Sequence, residues 1–358
     1  MMSTANYIRS DIQQMKAYAV ADVPAGFIKL DAMESPYDYP EDMKKELGRA
    51  LAAAPIRLYP NPGSCGLLQV LRDTYAIPAD ASLVLGNGSD ELIERLTMLV
   101  SKPGAKVLAP APSFVMYRVN AEFFGLEFIG VPLRPDFTMD LDAMLAAIKE
   151  HQPALVFVAY PNNPTGGRFA REKVEAIIAA TPGIVVVDEA YGAFSSDSFL
   201  SQAGQIPNLV VLRTLSKIGF AGLRIGYACG PAAILDELKK IIPPYNMNQL
   251  SLCAAEFALQ YQPFINENIS RLKGERERMR TALHAHPCIQ DFPSEANFLT
   301  LRVPDAQALF DKLYAQNILI KKLHGMHPLL DQCVRITIGL PEQNQKVLNI
   351  IDELYGNP

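Results

Sequence analysis

Short hydrophobic runs alternate with amphipathic stretches between about residue 82 and residue 230. The stretches have the spacing of helices, and we predict helices over 90–100 with Ser89 as N-cap and over 141–150 with Asp140 as N-cap. Strands that alternate with helices are typical of an α/β fold whose mostly parallel sheet is covered on both faces. The runs that read as buried strands are Leu83–Leu85, Lys106–Ala109, Phe128–Val131, Leu155–Val158, Ile184–Val187, Leu209–Leu212 and Ile225–Ala228.

The last third of the chain has a different pattern, which predicts a smaller α+β domain. A helix is expected over 255–285, and its charged run 271–280 is interpreted as a solvated face. We expect a large domain over 45–250 and a small domain made of 1–44 and 251–358, with the Pro-rich, aperiodic N-terminal residues packed against the latter. The remaining small-domain elements are predicted as a strand Asn297–Leu301, a helix Asp305–Gln316, strands Ile318–Lys321 and Val334–Ile338, and a helix Gln343–Tyr355.

Composition narrows the possible classes of protein. A chain of 358 residues is long for one simple core and suggests about two domains. Its formal net charge of −5 provides no basic face for nucleic acid, and no apolar stretch is long enough to span a bilayer. The five cysteines are scattered without a CxxC pair, so neither a disulfide framework nor a metal site is predicted. A cytoplasmic protein fits these features.

A lysine in a small-residue turn is the first candidate for chemistry. Lys217 follows the predicted strand Leu209–Leu212, in the run Arg213–Arg224. By itself such a lysine is consistent with a plain surface loop. Its neighbours along the chain change that interpretation.

A carboxylate and a tyrosine follow another predicted strand. Asp188 ends the apolar run Ile184–Val187, and Tyr191 lies three residues further on. Asp188 is expected at the carboxyl edge of a parallel sheet, where open α/β folds bind ligands. The alternative for Asp188 is a helix N-cap.

Two turns that follow predicted strands contain further candidate ligand-binding residues. Asn162–Gly166 follows a strand, and as a generic turn it is unremarkable because Asn, Pro and Gly are the usual turn formers. Gly86–Glu91 joins a strand to a helix, so its backbone N–H groups and the helix dipole can bind a phosphate, although a plain turn explains it equally well. The backbone of Ser89 and Asp90 is the predicted donor set. The hydroxyl of Ser216 and the permanent charge of Arg224 would complete it.

These segments, in this order, resemble the fold-type I pyridoxal phosphate (PLP) aminotransferases, and among them the histidinol-phosphate aminotransferase family most closely. The resemblance extends over nearly the whole chain. It implies that Lys217 forms a Schiff base with PLP and acts as the catalytic base, and that Asp188 holds the pyridine nitrogen.

The resemblance also assigns roles to residues that spacing alone does not identify. Asn163 and Tyr191 are expected to bind the ring oxygen of PLP and to favour its phenolate. Phe114 is expected to stack on the ring, although a core aromatic is the competing interpretation. Tyr59 is expected to reach the cofactor phosphate of a partner subunit, which implies a homodimer with shared active sites. Arg335 is expected to bind the distal anion of the substrate, and Tyr18 and Asn297 match further substrate-side positions.

The implied reaction exchanges an amino group between L-histidinol phosphate and 2-oxoglutarate or glutamate, in histidine biosynthesis. An aromatic amino acid as donor, or decarboxylation of threonine phosphate, remains open, because motif matches do not exclude a neighbouring subfamily. A PLP-binding regulator is a further class, but such a protein would be expected to carry a basic recognition helix near its N-terminus. No metal site is predicted among the five histidines.

Overall fold

The computed structural model describes residues 7–15, 17, 23–61, 63 and 66–356. Within these ranges the chain forms twelve strands and twelve α-helices. The strands are β1 (Ile28–Leu30), β2 (Ser82–Asn87), β3 (Lys106–Ala111), β4 (Glu127–Pro132), β5 (Leu155–Ala159), β6 (Ile184–Asp188), β7 (Leu209–Thr214), β8 (Ile225–Gly230), β9 (Gln290–Asp291), β10 (Phe298–Arg302), β11 (Ile318–Lys322) and β12 (Cys333–Thr337). The helices are α1 (Ser10–Gln14), α2 (Glu41–Ala53), α3 (Gly66–Tyr75), α4 (Ser89–Leu99), α5 (Val115–Phe123), α6 (Leu141–His151), α7 (Arg171–Ala180), α8 (Ala232–Lys239), α9 (Gln249–Ala258), α10 (Gln262–Leu283), α11 (Ala306–Ala315) and α12 (Pro341–Tyr355).

The larger sheet has seven strands in the order β2-β8-β7-β6-β5-β3-β4. The two pairings of β8, with β2 and with β7, are antiparallel and the other four are parallel, so the predicted mostly parallel α/β sheet is confirmed. All five residues of β5 are buried, and alternate residues belong to different hydrophobic clusters: Val156 and Val158 to one, Leu155 and Phe157 to the other. Helices therefore cover both faces, as expected for strands that are continuously apolar.

The smaller sheet has five strands in the order β1-β11-β12-β10-β9. Its first strand comes from the N-terminal part of the chain, since Ile28–Leu30 pairs in parallel with Ile318–Ile320. The N-terminal residues therefore contribute a strand to the smaller sheet, and they are not uniformly aperiodic, because they contain β1 and the start of α2. Other residues of this segment contact the larger unit, since Arg9 donates to the Phe123 carbonyl and Tyr39 to the Gly219 carbonyl. The division at residues 45 and 250 stays a prediction.

Three local predictions were wrong, each for an identifiable reason. The single helix predicted over 255–285 is two helices, α9 and α10, and α10 restarts with Pro263 in its first turn, where a residue without an N–H is tolerated. Helix α4 begins at Ser89 itself, with Gly88 as N-cap at φ 86°. The charged run is not fully solvated, because Arg276 is buried and its Nη1 donates to the Ala296 carbonyl at 2.9 Å. By contrast, the Asp140 cap is confirmed by a 3.1 Å bond from the Ala143 N–H.

Among the described residues, no helix combines the length and apolarity needed to cross a membrane. In the same ranges, no group of three or more His, Cys, Asp or Glu side chains is arranged to hold a metal ion.

Candidate active site

A cavity of about 330 Å³ opens where the carboxyl ends of the parallel strands meet. This edge is the ligand-binding position of open α/β sheets, because loops after several strands converge there. The sequence-predicted residues that line the cavity are Ser89, Asp90, Phe114, Asn163, Asp188, Tyr191, Ser216, Lys217 and Arg224. The strand order thus brings together motifs that are up to 135 residues apart in the chain, as Ser89 and Arg224 are.

Lys217 lies in a short 3₁₀ turn, Ser216–Ile218, directly after β7. Its Nζ donates to the Ala32 carbonyl at 3.3 Å and lies 5.8 Å from the centroid of the Tyr191 ring. Burial and, to a smaller extent, the positive charge of Arg335 lower the pKa of Lys217 to about 8. Near neutral pH a useful fraction of this amine is therefore unprotonated and nucleophilic.

Asp188 is the last residue of β6, and both of its carboxylate oxygens accept a hydrogen bond from the protein. The Tyr117 hydroxyl donates to Oδ2 at 2.7 Å, and the Ala190 N–H donates to Oδ1 at 3.0 Å. Burial raises the pKa of Asp188 to about 6, and the bond from Tyr117 opposes that rise. The carboxylate is held in one orientation beside the cavity, where a cationic partner would stabilise its ionised form.

An anion-binding cradle occupies one end of the cavity. The N-cap Gly88 leaves the first turn of α4 without a side-chain cap, so its N–H groups stay available to a ligand. Arg224 approaches so closely that a Cβ on Gly88 would lie 2.3 Å from Arg224 Nη2. The same guanidinium donates to Asp90 Oδ2 at 3.3 Å. Ser216 Oγ lies 2.8 Å from Thr214 Oγ1 at the same end of the cavity.

A guanidinium from the smaller sheet, that of Arg335, contacts a residue of the cavity wall although Arg335 itself does not line the cavity. Arg335 on β12 donates to Asn163 Oδ1 at 2.6 Å and to the Asp31 carbonyl at 2.8 Å. The guanidinium also lies over the Phe298 ring, with Cζ 5.3 Å from the ring centroid.

The N-terminal segment 32–34 forms part of the cavity wall. Met33 adopts a left-handed conformation with φ 55°, and its N–H donates to Thr337 Oγ1 at 3.0 Å. Asn297 is buried and does not line the cavity; its Nδ2 donates to the Met33 carbonyl at 2.9 Å. The geometry thus gives Asn297 a supporting position, and its predicted contact with substrate stays a prediction.

The outcome differs for the three remaining predicted residues. Tyr59 is 81% exposed and stacks on Tyr245 with ring centroids 4.7 Å apart, outside the cavity of this chain. Tyr18 lies outside the described residues. Phe114 lines the cavity as the N-cap of α5, which favours its ligand-facing role over the core alternative.

Sequence reasoning missed Tyr117, Thr214 and the segment around Ala32, all of which line the cavity. Tyr117 follows Phe114 by three residues, a helical spacing that places both on one face of α5, and this was the signal available for it. Thr214 precedes Lys217 by three residues in the same run, so its position in the chain was a signal for it. The segment around Ala32 had no comparable signal, because only the folded chain brings it to Lys217.

A sequence model of the family described as aminotransferase class I and II matches residues 25–351. The chain is 59% identical to the histidinol-phosphate aminotransferase of Neisseria meningitidis serogroup C, an alignment that covers 100% of this chain and 99% of that protein. It is 52% identical to the histidinol-phosphate aminotransferase of Chromobacterium violaceum, with 99% of both chains covered. Among solved structures it is similar to the histidinol-phosphate aminotransferase from Sinorhizobium meliloti in complex with pyridoxal-5′-phosphate, with a TM-score of 0.84, 25% identity and coverage of 97% and 98%.

Proposed function

The chain belongs to the aminotransferase class I and II family, and we propose that it transfers an amino group between L-histidinol phosphate and 2-oxoglutarate or glutamate. The observation that carries the proposal is its full-length similarity to histidinol-phosphate aminotransferases, together with the convergence of Lys217 and Asp188 on one cavity. The reaction belongs to histidine biosynthesis, and we place it in the cytoplasm.

The residues of the cavity fit pyridoxal phosphate as the cofactor. The first turn of α4, Ser216 and Arg224 would hold its phosphate, in a cradle so close that a Cβ on Gly88 would collide with Arg224. Asp188 would hold the pyridine nitrogen, and Lys217 would bond covalently to the aldehyde carbon. The other ligands would be Asn163 and Tyr191 on the ring oxygen and Phe114 on the ring face. When bound, the cofactor supplies an electron sink for the carbon that bears the amino group.

Three side chains have separate roles in the proposed reaction. The Lys217 amine, which is buried and has a pKa of about 8, would take the proton from the substrate carbon that bears nitrogen. Asp188 would stabilise a proton on the ring nitrogen through a charge-assisted hydrogen bond. Tyr191 is buried, and burial raises its pKa, so it enters the reaction as a protonated hydroxyl donor.

Two cationic side chains on neighbouring strands form the proposed binding site for the distal anion of both substrates. Arg335 on β12 is directly opposite Lys321 on β11 in the antiparallel register, so the pleat places the two side chains on the same face. Histidinol phosphate presents a phosphate and 2-oxoglutarate a carboxylate at the end away from the reacting nitrogen. One cationic site can therefore serve both half-reactions. Tyr18 and Asn297 remain proposed as further substrate-side residues.

A second copy of the chain completes each site in this proposal. Ile56, Leu58 and Tyr59 are 72%, 51% and 81% exposed and follow one another closely in the chain. Apolar side chains in such a row favour an interface with another protein surface. We propose a homodimer in which Tyr59 reaches the cofactor phosphate of the other subunit.

The function is tested by one half-reaction. The purified protein loaded with PLP is mixed with L-histidinol phosphate without a keto acid, and the visible absorbance of the cofactor is followed. We expect rapid loss of that absorbance at low substrate, much faster than with phenylalanine or glutamate. Faster loss with phenylalanine would favour an aromatic donor, and release of carbon dioxide from threonine phosphate would favour decarboxylation. A protein that does not take up PLP would contradict the whole assignment.

Replacing Gly88 by alanine tests the phosphate cradle. The new Cβ would lie 2.3 Å from Arg224 Nη2, so we expect the guanidinium to move and the dissociation constant for PLP to rise on the order of tenfold. Gly104→Ala is the matched control, because Gly104 also has a positive φ, +78°, but no atom within 4 Å of the new Cβ. Titration of the apoproteins with PLP gives both constants. Equal losses in the two variants would mean that backbone strain, not the cradle, is responsible.

Replacing Arg335 by glutamine tests the distal-anion site. We expect kcat/KM for histidinol phosphate to fall on the order of a hundredfold or more, because a buried charge partner is lost. Histidinol, which lacks the phosphate, should react with both proteins at similar low rates. Arg302→Gln is the control, since Arg302 also lies over aromatic rings, those of Phe137 and Phe292, but it donates to Gln290 and the Leu329 carbonyl, which do not line the cavity. Equal losses with histidinol and histidinol phosphate would contradict the role.

A further inference from the structure

We propose that Tyr117 is a positioning residue that keeps Asp188 ionised and correctly oriented for the ring nitrogen of the cofactor. The role deepens the proposed function and depends on it. In this proposal Tyr117 acts through Asp188 and does not itself act on the substrate.

The geometry makes Tyr117 the donor in a specific bond. Its side chain is fully buried, and its hydroxyl lies 2.7 Å from Asp188 Oδ2. Burial and the neighbouring carboxylate raise the pKa of Tyr117 well above its usual value, so the hydroxyl keeps its proton and donates it to the carboxylate. A donor bonded to the ionised form of an acid favours that form.

Two aromatic contacts hold the tyrosine in place. Its ring stacks on Phe157 of β5 with centroids 4.4 Å apart and planes 2° from parallel. Phe114, one helical turn before it, meets the ring edge-on at 5.6 Å. These contacts hold the Tyr117 hydroxyl in one position. Phe114, which is proposed to stack on the cofactor ring, and Tyr117, which bonds to Asp188, both lie at the start of α5.

The surroundings of Asp188 explain why such a donor is needed. Burial, with smaller contributions from the negative charges of Asp90 on α4 and of Glu189, raises the pKa of Asp188 to about 6. Tyr191 is held protonated by burial, and Lys217 across the cavity has a pKa of about 8. Of the groups that lower the pKa of Asp188, the Tyr117 hydroxyl is the largest contributor, followed by the Ala190 N–H.

The test is Tyr117→Phe in the full-length protein, which removes one oxygen and keeps the ring. Apoproteins are titrated with PLP at pH 6 and at pH 8, and the ratio of the variant to the wild-type dissociation constant is compared. Without the donor, the pKa of Asp188 rises, so less of it is ionised at pH 6 while nearly all remains ionised at pH 8. We expect the ratio to be larger at pH 6 than at pH 8 by a factor on the order of five.

Other titrations cancel in this ratio. Lys217 and the cofactor titrate in both proteins, so their effects on binding are shared. We also expect kcat to fall about tenfold while KM for both substrates stays within about twofold, because Asp188 contacts the cofactor and not the substrate.

Tyr160→Phe is the matched control. Tyr160 is also fully buried and donates to an aspartate, Asp197 Oδ2 at 2.8 Å, but it lies outside the cavity lining. For this variant we expect the ratio of its dissociation constant for PLP to that of the wild type to be near one at both pH values.

A second substitution covers the case in which Tyr117→Phe does not fold. A fluorinated tyrosine at position 117 keeps the hydroxyl and makes it a stronger donor, so the ratio at pH 6 should fall below one. A pH-independent ratio for either variant would show that Tyr117 only packs, and would overturn the proposal. Failure of the wild-type apoprotein to bind PLP would instead overturn the proposed function, and this role with it.

Discussion

Replacing Lys217 by alanine is expected to abolish transamination while leaving the fold and PLP binding intact. The lysine is the only proposed residue that both bonds covalently to the cofactor and moves the substrate proton. We expect kcat to fall on the order of ten-thousandfold, the upper end of what a positioned acid–base group contributes. The fold should survive, because Lys217 makes one hydrogen bond, to the Ala32 carbonyl, and its burial disfavours its charged form.

The measurement combines single-turnover kinetics with the spectrum of the bound cofactor. The variant should bind PLP without the visible band of the covalent lysine adduct, and histidinol phosphate should not be converted at a measurable rate. In the wild-type protein, uptake of PLP by the apoprotein should accelerate as the pH rises toward about 8, because the neutral amine is the nucleophile. The variant should lack that dependence.

Lys173→Ala is the control for the lysine substitution. Lys173 also donates to a backbone carbonyl, that of Met139 at 2.8 Å, but it lies outside the cavity. We expect its activity to match the wild type. Substantial transamination by the Lys217 variant would refute the central assignment.

Much of the fold follows from local patterns. The strands of the larger sheet are short runs of apolar residues, and β5, with five buried residues, shows why: a strand covered on both faces has no polar position to interrupt the run. Asp188 was predictable for the same reason, since it is the first charged residue after such a run and therefore marks the carboxyl edge of the sheet.

The contacts that tune the site depend on tertiary structure and could not be predicted in this way. Tyr117 meets Asp188 across 71 residues, and Ala32 meets Lys217 across 185. Nothing in the local sequence of either segment indicates its partner. Strand β1 has only three residues and is stabilised by its pairing with β11, so its periodicity is too short to recognise.

Asn297 illustrates a related limit of motif matching. The residue was identified by its resemblance to a substrate-side position, and it lies within one hydrogen bond of a cavity-lining segment, at Met33. A motif locates a residue in the neighbourhood of a site, but whether its side chain faces the ligand or supports a neighbour depends on packing around it.

Replacing Asp188 by asparagine is expected to separate catalysis from stability. The amide keeps the shape of the carboxylate but cannot carry the negative charge that holds a proton on the ring nitrogen. We expect kcat to fall on the order of a thousandfold, as when a preorganised electrostatic partner is removed from an active site. Alanine at this position should also lose most of the activity with the fold retained.

The stability of the Asp188→Asn apoprotein should not fall, although its kcat does. Burial raises the folded-state pKa of Asp188 to about 6, above its unfolded value, so the ionised group destabilises the empty protein at neutral pH. Asp188→Asn should therefore melt no lower than the wild-type apoprotein at pH 8, and any gain should shrink as the pH falls through about 6 and the wild-type carboxyl becomes protonated. The stabilisation that PLP confers on the wild type should be reduced in the variant.

Asp197→Asn provides the reverse case. Burial opposes ionisation of this carboxyl, but hydrogen bonds from Arg171 and Tyr160 outweigh it and lower the pKa of Asp197. Its ionised form stabilises the fold above the unfolded pKa, so the amide should lower the melting temperature without a comparable loss of kcat. Melting curves of both apoproteins at pH 5 and pH 8, with kcat for histidinol phosphate, separate the two cases. If Asp188→Asn retained wild-type kcat, or destabilised the apoprotein as Asp197→Asn does, Asp188 would be a structural carboxylate and not the electrostatic partner of the cofactor.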